Sequence, residues 1–327
     1  MMRLEARAPA KINLTLEVLG RRPDGYHEIA SVMHAVRLSD HLILELPDVP
    51  ALSATQGTLA LTGETAEIPT DSRNLIWRAF GLFVAAVPAL SVERHAPWRA
   101  YVQKAIPAQA GLGGGSSDAA ATLRLLGEWV SRMGLPTPHL HALASELGAD
   151  VAFFLNGACA LARGRGEQIE PLPALPLFWW VLAKPRTAGV STAWAYAQLK
   201  REAVDQPARA PYAERLLAAL AQKAIRAPED LAPLLYNDFD RPILEAVPML
   251  AAVRQQMLDA GALRVILCGS GAAQAGLCAS QSDAQRIADT LTQHGYWAVA
   301  TPLACGEGII HTRTEECSDD KNFSPQS

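Results

Sequence analysis

Residues 107–117 read PAQAGLGGGSS, and the glycines at 111, 113, 114 and 115 let the backbone turn tightly and present N–H groups with no side chain in the way. The preceding WRAYVQKAIP reads as a strand, and the following DAAATLRLLGEWVSRMG has helical spacing, with Ala119, Leu123, Leu126 and Val130 on one face. A glycine-rich turn that opens a helix gathers backbone donors at the positive end of the helix dipole, which suits a di- or triphosphate. A flexible linker is the plainer alternative, and the strand-loop-helix context disfavours it. The pattern lacks the Gly-Lys-Ser/Thr ending of the Walker loop and the distal acid of the dinucleotide fingerprint. Ser116, Ser117 and Asp118 follow the glycines. A hydroxyl such as Ser117 serves equally as a ligand for a hard cation or as a helix cap, and Asp118 can do either. A second pattern is the turn Pro-Asp-Gly-Tyr26-His27. An aromatic face stacks on a flat base and an imidazole bonds its edge, but without further context this pair is an ordinary hairpin tip.

The elements that must position these residues follow from pattern. Residues 11–46 read strand, turn, strand; weak strand signals surround Leu59–Leu61, and 74–87 carry apolar residues at helical spacing. Gly134 and Pro136 stop the helix after the glycine loop. Thr137 and Pro138 announce a short helix as cap and first-turn residue, closing at Gly148, with Asp150 just beyond the break. PLPALP then punctuates the chain, placing a lobe boundary near 165–175: an N-terminal lobe over 1–168 and a C-terminal lobe over 169–311. The second lobe begins with the buried-strand pattern LFWWVLA, holds mostly helices over 192–260, and ends in two strands, a helix and a final strand. The polar stretch 312–327 reads as a disordered tail. No repeat of fixed period is present.

Composition bounds the function classes. The 327 residues, half of them hydrophobic and 19% charged, are enough for large cores in two joined lobes. A net charge of −4 with scattered Lys and Arg argues against a nucleic-acid partner. Five cysteines without CxxC pairs suit a reducing cytoplasm, and the charged N-terminus offers no membrane span or signal peptide. Oligomeric state is not legible in the pattern; a monomer or weak homodimer is the expectation.

PxxxGLGGGSSDAA resembles the ATP-binding motif of the GHMP kinases, the superfamily of galactokinase, homoserine, mevalonate and phosphomevalonate kinases. APAKINLTLEVLGRRPDGYHE, NLIWRAF, LGADVAFFLNGACALARGRGE, GVSTAWAY, YNDFD and LCGSGAA resemble, in order, segments of its branch acting on 4-diphosphocytidyl-2-C-methyl-D-erythritol. The likeness spans residues 8 to 305, departing at CGSGAAQAGLC, where Gln274 and the alanines replace a regular apolar strand. It implies an α+β fold: an N-terminal lobe like domain 2 of ribosomal protein S5 and a C-terminal α/β-sandwich lobe, with the active site between them. It also implies ATP with Mg2+ and transfer of the γ-phosphoryl to the 2-hydroxyl of the diphosphocytidyl substrate. It maps Asp150 onto the base and Lys11 onto the group that lowers the hydroxyl's pKa or neutralises charge. Taken alone, these are more often a helix cap and a solvated strand-end charge. Residues 107–117, with Pro107, Ala108, Gln109, Ala110 and Leu112 among the glycines, map to the triphosphate. Asn74, Leu75 and Lys104 map to the adenine side, and Ser117 to the metal. Asn13 and Thr192 map near the reacting end, and Tyr196 maps to an aromatic wall opposing Tyr26 and His27.

Overall fold

Alternating apolar residues along the first 46 positions build one long antiparallel ribbon, β1 (Met2–Arg21) and β2 (His27–Leu46). Its register shifts between Pro9 and Ala10, between Asn13 and Thr15, and between Val18 and Gly20. Such bulges bend and twist a ribbon, so one strand serves several cores. Leu4, Ala6 and Ala8 enter the first core, Ala10, Ile12 and Leu14 the second, and Leu16 and Val18 another. The computed structural model describes residues 1–65, 68–90, 96–187, 189–199, 208–304 and 312–316.

After the ribbon come β3 (Gly57–Gly63), α1 (Leu75–Ala86), β4 (Trp98–Lys104), α2 (Gly114–Arg132), α3 (Leu140–Leu147), α4 (Ala149–Asn156), β5 (Cys159–Gly164) and β6 (Gln168–Pro171). Then follow β7 (Trp179–Lys184), α5 (Thr192–Leu199), α6 (Pro211–Ala221), α7 (Pro228–Leu231), β8 (Tyr236–Asn237), α8 (Asp240–Ala246) and α9 (Pro248–Asp259). The last elements are β9 (Arg264–Leu267), β10 (Gln274–Cys278), α10 (Gln281–Gln293), β11 (Trp297–Pro302) and β12 (Thr312–Glu316). The first sheet runs β12-β1-β2-β4-β3, with β5 beside β2, β6 beside β5 and β8 parallel to β1; the second runs β11-β7-β10-β9.

Helix α2 is buried on most sides rather than on the single face its spacing predicted: Ala119, Ala120, Ala121, Leu123, Leu125, Leu126 and Trp129 are all buried. It packs against the ribbon, α1, α3 and α4, so its alanines allow close approach where longer side chains would clash. Helix α3 is capped by His139, whose Nδ1 accepts from Ala142 N at 3.3 Å, not by Thr137. Thr137 instead donates to Gly127 O at 3.3 Å. Strands β5 and β6 were not anticipated; the small residues of CALARG carry weak strand propensity and gain order from pairing with β2. Residues 312–316, expected in a disordered tail, pair antiparallel with Met2–Ala6, because the free edge of β1 supplies backbone partners to a polar segment. The remaining tail residues lie outside the described ones. Among the described residues, no helix is long and apolar enough to cross a membrane. Cys159, Cys268 and Cys278 are buried free thiols; burial pushes each up to about 12, which keeps them protonated and unreactive. Cys305 and Cys317 lie outside the described residues.

Candidate active site

Lys11 and Asn13 lie two apart on β1, so their side chains leave the same face. Lys11 Nζ donates to Asn13 Oδ1 at 2.8 Å, Asn13 Nδ2 donates to Ser31 Oγ at 2.8 Å, and Ser31 Oγ donates to Thr15 O at 2.7 Å. This relay fixes which end of the Asn13 amide faces the ammonium. Asp150 stands in the first turn of α4, where Gly148 rather than Asp150 is the capping residue. Its carboxylate therefore has no capping duty and reaches within 3.7 Å of Lys11 Nζ. The Lys11 side chain is 5% exposed and that of Asp150 38%, so the acid opens to the cleft while the ammonium is walled in.

The glycine-rich loop rests directly on these residues. Lys11 N donates to Leu112 O at 2.9 Å, and the Lys11 stem packs against Gly113, where an added Cβ would stand 3.1 Å from Lys11 Cγ. Gly111 and Gly113 adopt φ of +79° and +74°, a region glycine enters without steric cost. The opposite side of the loop meets residues 268–273: Ala273 N donates to Ala110 O at 3.0 Å, and a Cβ on Gly111 would fall 1.8 Å from Cys268 O. Pro107, Ala110 and Leu112 are buried anchors, Ala108 is half-buried, and Gln109 is exposed in the left-handed region at φ +53°. Gly113 leads into α2, whose first turn carries Gly114, Gly115, Ser116 and Ser117. Ser116 lines the cavity; Ser117 is fully buried, and its Oγ finds no hydrogen-bond partner among the described residues.

Asn237 fastens the loop at residues 268–273, donating from Nδ2 to Leu267 O and Gly269 O, both at 2.9 Å. The atypical Gln274 is accommodated: it is fully buried, its amide donates to Leu250 O at 2.6 Å, and its carbonyl accepts from Arg254 Nε at 3.1 Å. The loop backbone thus survives the departure in sequence.

Lys104, assigned to the adenine side, is buried beneath the loop, its ammonium held by Asp40 at 2.5 Å and Asp118 at 2.6 Å. Asp40 also accepts from Ala105 N and Ile106 N, at 2.7 and 2.9 Å. The Lys104 amine is therefore a buried counter-ion, and Asp40, which no motif marked, completes the pair. Burial, ahead of the nearby Asp40 charge, pushes the Asp118 carboxyl up to about 7 against the opposing pull of Lys104. Asn74 spends its side chain capping α1, accepting from Ile76 N at 3.0 Å and donating to Pro69 O at 2.8 Å. Leu75 does lie beside the loop, 3.8 Å from where a Cβ on Gly115 would stand.

His27 and Tyr196 were expected on opposing walls, yet their rings stack on each other, 4.6 Å apart at 27°. Tyr26 is exposed, with the Arg165 guanidinium 4.9 Å from its ring centroid. Burial and then the Arg21 charge lower the His27 pKa, so the ring is neutral at pH 7 and keeps one donor and one acceptor. Burial and then the Asp150 charge push the Tyr196 hydroxyl up to about 12. Tyr26, His27, Arg165, Thr192 and Tyr196 line a cavity of about 790 Å3. Arg165, Thr192 and Tyr196 also line an adjoining cavity of about 340 Å3 that holds Lys11, Asn13, Asp150 and Ser116. Arg165 had no assignment from sequence; its place within GRGE was the available signal.

Residues 74–158 match the GHMP kinases N terminal domain, and residues 216–296 the GHMP kinases C terminal domain. The 4-diphosphocytidyl-2-C-methyl-D-erythritol kinase of Mycolicibacterium gilvum is 40% identical over 295 residues, covering 88% of this chain and 86% of that protein. The chain belongs to the 4-diphosphocytidyl-2-C-methyl-D-erythritol kinase family of GHMP kinases. A crystal structure of 4-(cytidine 5'-diphospho)-2C-methyl-D-erythritol kinase superposes with a TM-score of 0.69 at 34% identity, covering 92% of this chain and all of that one. Homoserine kinase from Cytophaga hutchinsonii superposes with a TM-score of 0.68 at 18% identity, over 95% of this chain and 97% of that one, a likeness of fold alone. The family makes this protein an ATP-dependent kinase of a small molecule with the two-domain GHMP fold.

Proposed function

We propose that the kinase transfers the γ-phosphoryl of ATP to the 2-hydroxyl of 4-diphosphocytidyl-2-C-methyl-D-erythritol. The observation that carries this reading is the joining of two cavities through Arg165, Thr192 and Tyr196. A substrate with a cytosine at one end and a reacting alcohol at the other needs two compartments separated by a diphosphate. The aromatic compartment has that role for the base, and the Lys11–Asp150 compartment for the alcohol. An acceptor as short as homoserine or mevalonate would leave the first compartment without use.

In this reading Asp150 accepts the proton of the 2-hydroxyl as its oxygen attacks the γ-phosphorus, and the bond to the β-phosphate oxygen breaks, releasing ADP. Lys11, within 3.7 Å of Asp150, places positive charge where the alkoxide develops, and Asn13 holds the ammonium in place. Thr192, whose Oγ1 accepts from Ser270 Oγ at 3.4 Å, adds a hydroxyl at the junction. Backbone donors of the glycine-rich loop and the first turn of α2 hold the triphosphate, with Leu75 as an apolar flank toward adenine. Mg2+ belongs to the same reading. The buried, unpartnered Ser117 hydroxyl fits one hard ligand, and phosphate oxygens of the nucleotide would supply others. A bound ion would neutralise charge on the transferring phosphoryl.

Phosphorus NMR of the purified protein with Mg-ATP and the diphosphocytidyl substrate tests the reading, with homoserine and mevalonate as controls. A new phosphomonoester signal with the cytidyl compound alone, absent in Asp150→Ala, is the expected result. Turnover of a control instead would assign the protein to another GHMP substrate, and bound ATP with no turnover at all would make it a regulator.

A further inference from the structure

Protein groups already occupy aromatic surface that a flat base would use. His27 lies on Tyr196 at 4.6 Å, and the Arg165 guanidinium lies over Tyr26 at 4.9 Å. The two covers differ in how easily they move. The His27–Tyr196 pair is backed by Phe239, whose ring meets Tyr196 edge-on at 4.9 Å. Arg165 projects from the tight turn between β5 and β6, its side chain is 44% exposed, and its nearest carboxylate, Glu167 Oε1, is 3.9 Å from Nε, beyond hydrogen-bond reach. The turn does not depend on that side chain: Arg165 N donates to Glu167 Oε2 at 2.6 Å, and Gly164 and Gly166 supply φ of +70° and +109°. Arg165 is also one of three residues that line both cavities.

We infer that Arg165 exchanges partners on substrate binding: the cytosine displaces its guanidinium from the Tyr26 face, and the freed guanidinium clamps the diphosphate running from base pocket to reaction cavity. The inference rests on the cytidyl substrate proposed above. The guanidinium gives up a modest cation–π contact and a loose 3.9 Å ion pair with Glu167, and gains a bidentate, charge-assisted contact. A base without phosphates would have to displace Arg165 with nothing in return, so the exchange selects for the diphosphate ester over free nucleoside.

This predicts opposite signs for two ligands in one variant. Isothermal titration of cytidine and of CDP, each with a saturating non-hydrolysable ATP analogue to block the nucleotide site, compares the wild type with Arg165→Ala. CDP binding should weaken about tenfold, whereas cytidine binding should tighten about two- to fivefold, because its competitor for Tyr26 is gone. Arg165→Lys should retain part of the CDP affinity. Equal weakening of both ligands would mark Arg165 as general scaffold and overturn the exchange, as would a cytidine affinity that stays unchanged. If the wild type binds the ATP analogue but neither cytidine nor CDP, the substrate reading itself falls, and this inference with it.

Discussion

At the scale of single residues, the site pairs an acid freed from capping with a lysine that cannot leave. Asp150→Asn removes the proton acceptor while preserving shape, so kcat should fall about 10²- to 10⁴-fold with little change in the KM for ATP. Steady-state kinetics with each substrate varied in turn checks this; a kcat within a factor of about two of the wild type would remove Asp150 from the base role. Lys104 carries the opposite expectation. Lys104→Met leaves Asp40 and Asp118 buried side by side without a cation, which should cost about 3–5 kcal/mol of stability. Chemical denaturation reads that loss, and a near-normal midpoint with a raised KM for ATP would restore Lys104 to the adenine side.

At the scale of elements, the glycines of one loop divide into those required by packing and those required by ligand. A Cβ on Gly111 would fall 1.8 Å from Cys268 O and would sit at φ +79°, whereas one on Gly115 meets only Leu75 Cδ1 at 3.8 Å. Gly111→Ala should therefore separate the glycine-rich loop from residues 268–273 and lower the thermal midpoint markedly. Gly115→Ala lies in the first turn of α2, where alanine is the better helix former, and should leave the midpoint unchanged or raised. Differential scanning calorimetry of the two variants checks the contrast. Equal midpoints would mean that the two loops do not brace each other as described.

At the scale of the whole molecule, one buried imidazole joins the ribbon to the connecting segment between the two sheets. His34 Nδ1 donates to Ala35 O at 2.8 Å and Nε2 accepts from Leu175 N at 3.3 Å, so the ring is neutral. Burial pushes its pKa down to about 4 from the ordinary 6.5. Between those values the unfolded chain binds more protons than the folded one, so this contribution is full above pH 6.5 and declines as pH falls toward 4. A shift of that size corresponds to about 3 kcal/mol. Asp118 works against it: with its carboxyl raised from 3.8 to about 7, its contribution is full below 3.8 and declines as pH rises toward 7. The windows overlap, so only paired variants separate them. His34→Gln should flatten the loss of stability between pH 6.5 and 4 relative to the wild type, and Asp118→Asn should flatten the decline on the rising side. Denaturant midpoints across pH 4–8 read both; parallel curves for His34→Gln and wild type would show that the ring is not held neutral.

Much of this was legible in the chain itself. Local pattern marks the long ribbon, the strand-loop-helix around the glycines and the late sandwich strands, because alternation, helical spacing and Gly-Pro punctuation act over neighbouring residues. The turn pattern marked Tyr26 and His27, family motifs singled out Lys11, Asn13, Asp150, Thr192 and Tyr196, and the fold brings all of them to two adjoining cavities. What the tertiary structure alone decided are relations across long separations. Asp40 meets Lys104 across 64 positions; Arg165 covers Tyr26, His27 stacks on Tyr196, and Thr312–Glu316 completes an edge of β1. The physical reason is the same in each case. A buried charge, an aromatic face or an open sheet edge takes whichever partner the packed backbone brings near, and nothing in the residues beside it in sequence records which partner that will be.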